Sequence, residues 1–470
     1  MPPSSDTLSD PPKRYFAIHY ILLRFLGLGW WHHPDEFNTN NFPGLYLYYS
    51  IITELVWVVG FVGLESIDPF IGEKDLDKFM FSLSFVITHD LTLIKLYIFF
   101  FKNREIQDIV RTLEIDMHSY YQNNKKNRRT IRITRIMTAS FLFFGWMTIG
   151  NVNVYGIFED LRWKAEISKL NETAIRPFRA LPQPIYIPWS YQTDKSYIST
   201  FLLETVGLLW TGHIVMTIDT FIGSLILHMS SQFEILQEAY FTAYDRTILQ
   251  MSEGLLQRHD ENMVLISDKR YTNVDDFKEN IVRRYCSDEE IEAALEKTLK
   301  RNLQQHQLLI GCVEKFAKTY SYGFMTQLLS SMAAICVVMV QVSQDASSFK
   351  SIRIVTSLAF FVAMVIQLAI QCFSGNELTY QASKLSEAVM QSKWERMTPR
   401  LRRLLIMPMM RAQKPLHLTA AGFSNMNNAC FLAVSNFLHP ETSKSYFCDM
   451  NKHCFVPESN FKNIVIYDFL

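Results

Sequence analysis

The sequence predicts an all-α integral membrane protein with seven transmembrane helices, a cytoplasmic N-terminus, and cytoplasmic helical extensions that form a subunit-contact region. Three observations carry this prediction. Seven segments are long and apolar enough to cross a bilayer, the basic residues crowd into alternate connecting loops, and amphipathic helical patterns run on past several spans. Apolar residues make up 49% of the 470-residue chain and charged residues 20%, below the ~25% usual in soluble proteins. Mean hydropathy is only +0.03 because apolar blocks alternate with very polar loops.

A bilayer core of ~30 Å needs about 20 apolar helical residues. The segments that qualify are 44–66, 78–101, 136–158, 199–229, 320–341, 354–374 and 416–438. They sit in a membrane domain of 15–438, between a cytoplasmic tail of 1–14 and an atypical extracellular tail of 439–470. An earlier apolar stretch, 15–31, holds Arg24 and ends in Trp30 and Trp31. It reads as an interfacial or re-entrant helix, with a further full span as the rival.

Orientation follows from basic residues in the loops. Loop 102–135 carries nine Lys and Arg and loop 375–415 carries eight, whereas loop 67–77 has only Lys74. The basic loops are therefore expected inside. The glycosylation sequon Asn171-Glu172-Thr173 falls in a loop expected outside. This orientation is inverted relative to G-protein-coupled receptors, and neither an Asp-Arg-Tyr nor an Asn-Pro-x-x-Tyr motif stands where those receptors carry one.

Beneath the membrane, Phe233, Leu236 and Tyr240 continue the fourth span in helical spacing. Residues 250–286 are polar enough to be expected as a mobile loop. Ser287 and Glu290 form a capping-box pattern. The helix that they open presents Ile291, Leu295, Leu299 and Leu303 and is expected to run unbroken into the fifth span. Leu378, Leu385 and Val389 follow the sixth span, and Pro399 opens a basic amphipathic piece. A subunit-contact region is the functional reading of these extensions, and solvated interfacial helices are the plain one.

Ionisable groups within spans are rare and are usually functional or paired. His89, Asp90 and Lys95 lie in the second span, with Lys95 expected to snorkel to the cytoplasmic interface. Glu204, His213 and Asp219 lie in the fourth, Asp219 as a structural ion-pair or capping residue. Asn425, Asn427 and Asn428 in the seventh segment suit either a water-lined pore or hydrogen bonds between helices. No HExxH, GxSxG, Walker loop or GxGxxG occurs, and none of the seven cysteines forms a CxxC pair. An enzyme, a metal site and a bound cofactor are therefore not expected. Lys plus Arg and Asp plus Glu balance at 46 each, which argues against nucleic-acid binding.

Four local patterns resemble the insect odorant receptor family. They are IDTFIGSLILHMSSQFEILQEA (218–239), with Asp219, His228, Gln232, Phe233 and Leu236; NLQQHQLLIGCVEKF (302–316); CFSGNELTYQASKLSEAVMQSKW (372–394), with Gly375, Asn376, Glu377 and Trp394; and LTAAGFSNMNNACFLAV (418–434). The resemblance implies an odorant-gated cation channel of the sensory-neuron plasma membrane. A tuning subunit would assemble with a common co-receptor into a heterotetramer, with the seventh helices around the pore and a small-molecule cavity in each outer half-bundle. The partners implied are a small volatile odorant, the co-receptor and membrane lipid. By depth, the expected cavity lining is Phe81, Phe85, Asn151, Tyr155, Leu209, Trp210, His213 and Phe360. A gustatory receptor channel, and a metabotropic or non-conducting receptor, are the alternatives. One departure stands out: after Val434 the family's apolar helix end is replaced by a segment with Pro440 and Glu441. In that segment Cys448 and Cys454 either pair outside the cell or stay apart.

Overall fold

The computed structural model describes residues 14–28, 44–71, 76–169, 179–258, 274–347 and 351–436. Two compact units are recognised, 1–427 and 428–470. In the first, six helical segments among the described residues are long and apolar enough to cross a membrane: 45–71, 79–101, 124–167, 194–241, 288–342 and 353–390. They overlap the first six expected spans and extend well beyond several of them.

The first segment is composite. Helix α2 (Gly44–Thr53) passes through a π-helical stretch, Glu54–Gly60, into α3 (Phe61–Ile71). Helix α4 (Leu76–Phe101) follows, then α5 (Asn103–Glu114) and α6 (Asn124–Ile167). The Asn123 side chain caps α6 by accepting from the Lys125 and Lys126 amides at 3.0 and 3.2 Å. Helix α7 (Asp194–Phe241) is the most enclosed element, buried almost continuously from Ile214 to Leu236. It packs against α4, α6 and α11 (Ser351–Met390). Helix α10 (Asp288–Ser347) runs unbroken for 60 residues. Its capping box is reciprocal: the Ser287 amide donates to Glu290 Oε2 at 2.9 Å, and the Glu290 amide donates to Ser287 Oγ at 3.2 Å.

The apolar stretch at the N-terminus gives helix α1 (Ala17–Phe25), whose nine residues are too few to span. It lies against α7, with Tyr15 stacked on His228 and Phe16 edge-on to the same ring.

One end of the bundle, here the lower end, carries a second core. Leu236 and Tyr240 of α7 meet Tyr244 and Ile248 of α8 (Ala243–Arg258) and Val282 of α9 (Val274–Tyr285). Leu295 and Leu299 of α10, Leu385 and Val389 of α11, and Leu401 and Leu405 of α12 (Pro399–Ala412) complete it. Two expectations change here. The polar stretch 250–286 is not simply a loop, because α8 continues to Arg258 and α9 begins at Val274. Glu279 supports α9 by accepting from the Tyr244 hydroxyl at 3.0 Å and by pairing with Arg283 and Arg396 at 3.0 and 2.5 Å. The apolar stripes singled out for contact between subunits are also spent largely inside the chain. Exposed Tyr380, Met407 and Met410 remain available on these helices.

Lys95 does not snorkel. Its ammonium pairs with Asp219 Oδ1 at 2.6 Å, both side chains buried. Asp219 also accepts from Gln367 Nε2 at 2.5 Å and from Gln371 Nε2 at 3.3 Å. An unpaired charge in this interior is costly, so the network ties α4, α7 and α11 together. Lys95→Met alone should cost ~3–5 kcal/mol, and adding Asp219→Asn should restore most of the loss. Thermal unfolding of the solubilised single and double variants checks this; losses that merely add would contradict it.

Glu114 fastens the N-terminal segment to α5. Its carboxyl accepts from the Phe16 amide at 3.2 Å and the Tyr20 hydroxyl at 3.0 Å. Burial pushes this carboxyl up to about 7. The folded state therefore holds the proton more tightly than the unfolded chain. The stability this gives is present below the ordinary carboxyl range and is lost as pH rises toward 7. Hydrogen-exchange protection of residues 15–20, corrected for the intrinsic pH dependence of exchange, should fall between about pH 4.5 and 7, and Glu114→Gln should flatten that dependence.

Candidate ligand-binding site

At the upper end, opposite α8 and α9, the helices enclose a compact aromatic cluster. Phe81 and Phe85 stand one turn apart on α4, with ring centroids 5.3 Å apart. Tyr155 of α6 lies 5.9 Å from Phe81, and Phe360 of α11 lies 5.5 Å from Phe85. Ile149 and Val152 of α6, Leu208 and Leu209 of α7, and Phe61 of α3 complete the walls. Phe61 fits because α7 presents Gly207 to it; a side chain there would overlap the ring.

The 179–193 segment closes this cluster from above. Its sequence alternates Leu181, Ile185 and Ile187 toward the aromatic group, and the Tyr186 amide donates to the Leu64 carbonyl at 3.3 Å. Arg179 anchors the segment. Its fully buried guanidinium pairs with Asp160 at 2.6 Å and Asp194 at 2.9 Å, and lies over the rings of Trp163 and Tyr197.

Five of the eight expected lining residues thus come together: Phe81, Phe85, Tyr155, Leu209 and Phe360. Asn151 is half-buried one turn before Tyr155 on α6. Trp210 and His213 face elsewhere. Trp210 meets Phe25 of α1 at 5.7 Å, and His213 Nε2 accepts from Trp146 Nε1 at 2.8 Å. They follow Leu209 closely in sequence, but helical rotation turns them from the cluster. Phe61, Ile185 and Leu208 were not anticipated; the apolar run of Leu181, Ile185 and Ile187 in the loop before α7 was the available signal.

Polar groups border the same cluster. His89, one turn from Phe85 on α4, meets Glu65 Oε2 at 2.6 Å. Asp68 accepts from Ser82 at 2.9 Å and Asp90 from Ser66 at 2.9 Å. Glu204, one turn before Leu208 on α7, is fully buried. A separate cavity of about 310 Å³ opens on the flank between α6 and α11, lined by Phe144, Met147 and Thr148 on one side and Val355, Leu358 and Val362 on the other. Among the described residues no group of His, Cys, Asp and Glu could hold a metal ion.

The first half of the stretch 416–438 is not a helix. Strands β1 (Thr419–Ala420) and β2 (Ser424–Asn425) pair antiparallel, Thr419 opposite Asn425. Ala421 and Gly422 make the turn with positive φ. The Ala421 amide donates to the Ser321 carbonyl at 3.1 Å, fixing the hairpin to α10. Of the expected pore residues, Asn425 ends β2, Asn427 follows it, and Asn428 opens helix α13 (Asn428–Asn436) in the second unit. Asn171, Cys448 and Cys454 lie outside the described residues.

The quoted motif residues mostly hold this architecture. Gln232 meets Gln122 and Asn127 at 3.4 and 3.5 Å, Asn302 Nδ2 donates to the Ala239 carbonyl at 2.9 Å, and Phe233 lies edge-on to His306.

A helical membrane protein with an enclosed apolar cluster at one end is the class these features define. The family model described as 7tm Odorant receptor matches residues 75–438, and the chain belongs to that family. Odorant receptor 82a of Drosophila melanogaster is 20% identical over 428 residues, covering 90% of this chain and 96% of that protein. Odorant receptor Or1 of Anopheles gambiae is 20% identical over 409 residues, covering 86% and 87%. The olfactory receptor OR5 of Machilis hrabei, solved in complex with eugenol, superposes with a TM-score of 0.65 at 14% identity, covering 94% of this chain and 98% of that one. The protein is thus an odorant receptor rather than an enzyme.

Gly375 has a physical role in its motif. On α11 it lies so close to the Met426 carbonyl that a Cβ would collide with backbone. Gly375→Val should displace the hairpin, and hydrogen exchange at the Ala421 and Met426 amides should quicken in that variant while α7 keeps its protection.

Proposed function

We propose that this chain is an odorant-tuned subunit that binds small volatile molecules among Phe81, Phe85, Tyr155, Leu209 and Phe360 and opens a cation channel formed with a co-receptor. The convergence of these residues from α4, α6, α7 and α11 beneath one anchored loop is the observation that carries the reading. A small apolar guest parting these rings gains ~25 cal/mol for each Å² of apolar surface it buries. An odorant that fits the open arrangement better shifts the population by its differential affinity. The structure solved with eugenol supports small-molecule binding in this fold.

In this reading the protein sits in the plasma membrane of a sensory neuron, with its lower end in the cytoplasm and Asn171 glycosylated outside. Helix α13 begins the seventh span. Asn425, Asn427 and Asn428 border the pore of a heterotetramer, and membrane lipid surrounds the bundle.

Voltage-clamp recording from cells expressing this chain with the co-receptor, against a broad volatile panel, is the test. Odorant-evoked current absent from cells with co-receptor alone is the expected result. Phe85→Ala or Tyr155→Ala should move the dose–response curve at least tenfold without changing surface delivery. Silence across the panel from surface-delivered protein, or current abolished by blocking G-protein signalling, would overturn the channel reading.

A further inference from the structure

Glu204 stands out among the groups around the aromatic cluster. It is 1% exposed, and among the described residues no side chain hydrogen-bonds to either carboxyl oxygen. The Gln183 main-chain amide is directed at the carboxyl, and the charged groups that act on it are Glu65 and Asp68, both acidic. The nearby imidazole of His89 is taken by Glu65 at 2.6 Å. Gln183, carried in by the closing segment, is itself 1% exposed, and among the described residues its side-chain amide has no partner for either atom. Two buried polar side chains, on different elements, thus lack side-chain partners among the described residues at the edge of one aromatic group. Such groups are rare in folded proteins because each forfeits its hydration.

The surrounding rings have a matching property. Phe61 and Phe85 lie 6.5 and 6.2 Å from the His89 ring, and the Arg353 guanidinium already stands 4.8 Å over Phe81. Aromatic faces attract cations, most strongly where water is excluded. A neutral alcohol of equal size would offer the Glu204 carboxyl one uncharged donor and the rings no cation, whereas an ammonium group offers charged donors to the carboxyl and a cation to the rings together.

We propose that the site selects small volatile amines, with Glu204 as the countercharge, Gln183 as a hydrogen-bonding neighbour and the aromatic cluster holding the apolar remainder. The proposal rests on the ligand-site reading above and names its ligand class. Either partner can bring the proton: an ammonium meeting the carboxylate, or a free base meeting the carboxylic acid, yields the same ion pair with no net charge gained. A site built around a polar group discriminates against analogues that lack its partner far more strongly than an apolar pocket distinguishes shapes.

The test measures binding to the purified full-length chain, separately from current. 2-Phenylethylamine and 2-phenylethanol, alike in skeleton, are compared by titration calorimetry at pH 7.4, in wild type and in Glu204→Gln and Glu204→Asp. The expected result is at least tenfold preference for the amine in wild type, lost in Glu204→Gln and partly kept in Glu204→Asp. Equal affinities, preference for the alcohol, or no binding of the amine by wild type would overturn the proposal, and that comparison needs no variant to fold. Alcohol binding that is weakened by Phe85→Ala would at the same time preserve the ligand-site reading. Binding of neither compound, together with silence to the volatile panel, would remove both.

Discussion

A charge inside a bilayer-length bundle has to be matched there, and the buried Lys95–Asp219 pair is the requirement around which this molecule is arranged. Asp219 takes the ammonium of α4 and two glutamine amides of α11, so three helices are held in register at one point by groups that cannot be left alone. Helix α7, which carries Asp219, is buried along most of its middle and supplies surface both to the aromatic cluster above and to the lower core. Each end is therefore organised around a common spine.

How far the sequence disclosed this depends on the range of the signal. Apolar length is local, so six helices long and apolar enough to cross a membrane were legible. The Ser287–Glu290 box and Pro399 were legible for the same reason, since a cap involves residues three apart. The Lys95–Asp219 pair was not: its members stand 124 residues apart, and each taken separately had an acceptable account, one as a snorkelling lysine and the other as a structural acid. The 416–427 stretch was misjudged because composition cannot distinguish an apolar helix from a short hairpin. The turn at Ala421 and Gly422 depends on Ser321, about a hundred residues earlier.

The candidate site divides along the same line. Phe81 and Phe85 share a face of one helix, and depth alone placed them beside Tyr155 and Phe360. Trp210 and His213 were chosen at the correct depth on α7, yet depth does not fix rotation about the helix axis. Phe61 could be placed only once the π-helical stretch before it and the close approach of Gly207 were known, because a wider turn changes which side chains face inward. The closing loop was the least legible part, since Arg179 is anchored by acids from two different helices.

Helix α10 has a mechanical consequence. Its 60 residues form a continuous rod of about 90 Å, with no break where the apolar span meets the lower core. A rod of that length magnifies angle into distance: tilting it by about 2° about one end carries the other through about 3 Å. The span and the lower core thus share one lever arm, and neither can be reoriented without moving the other.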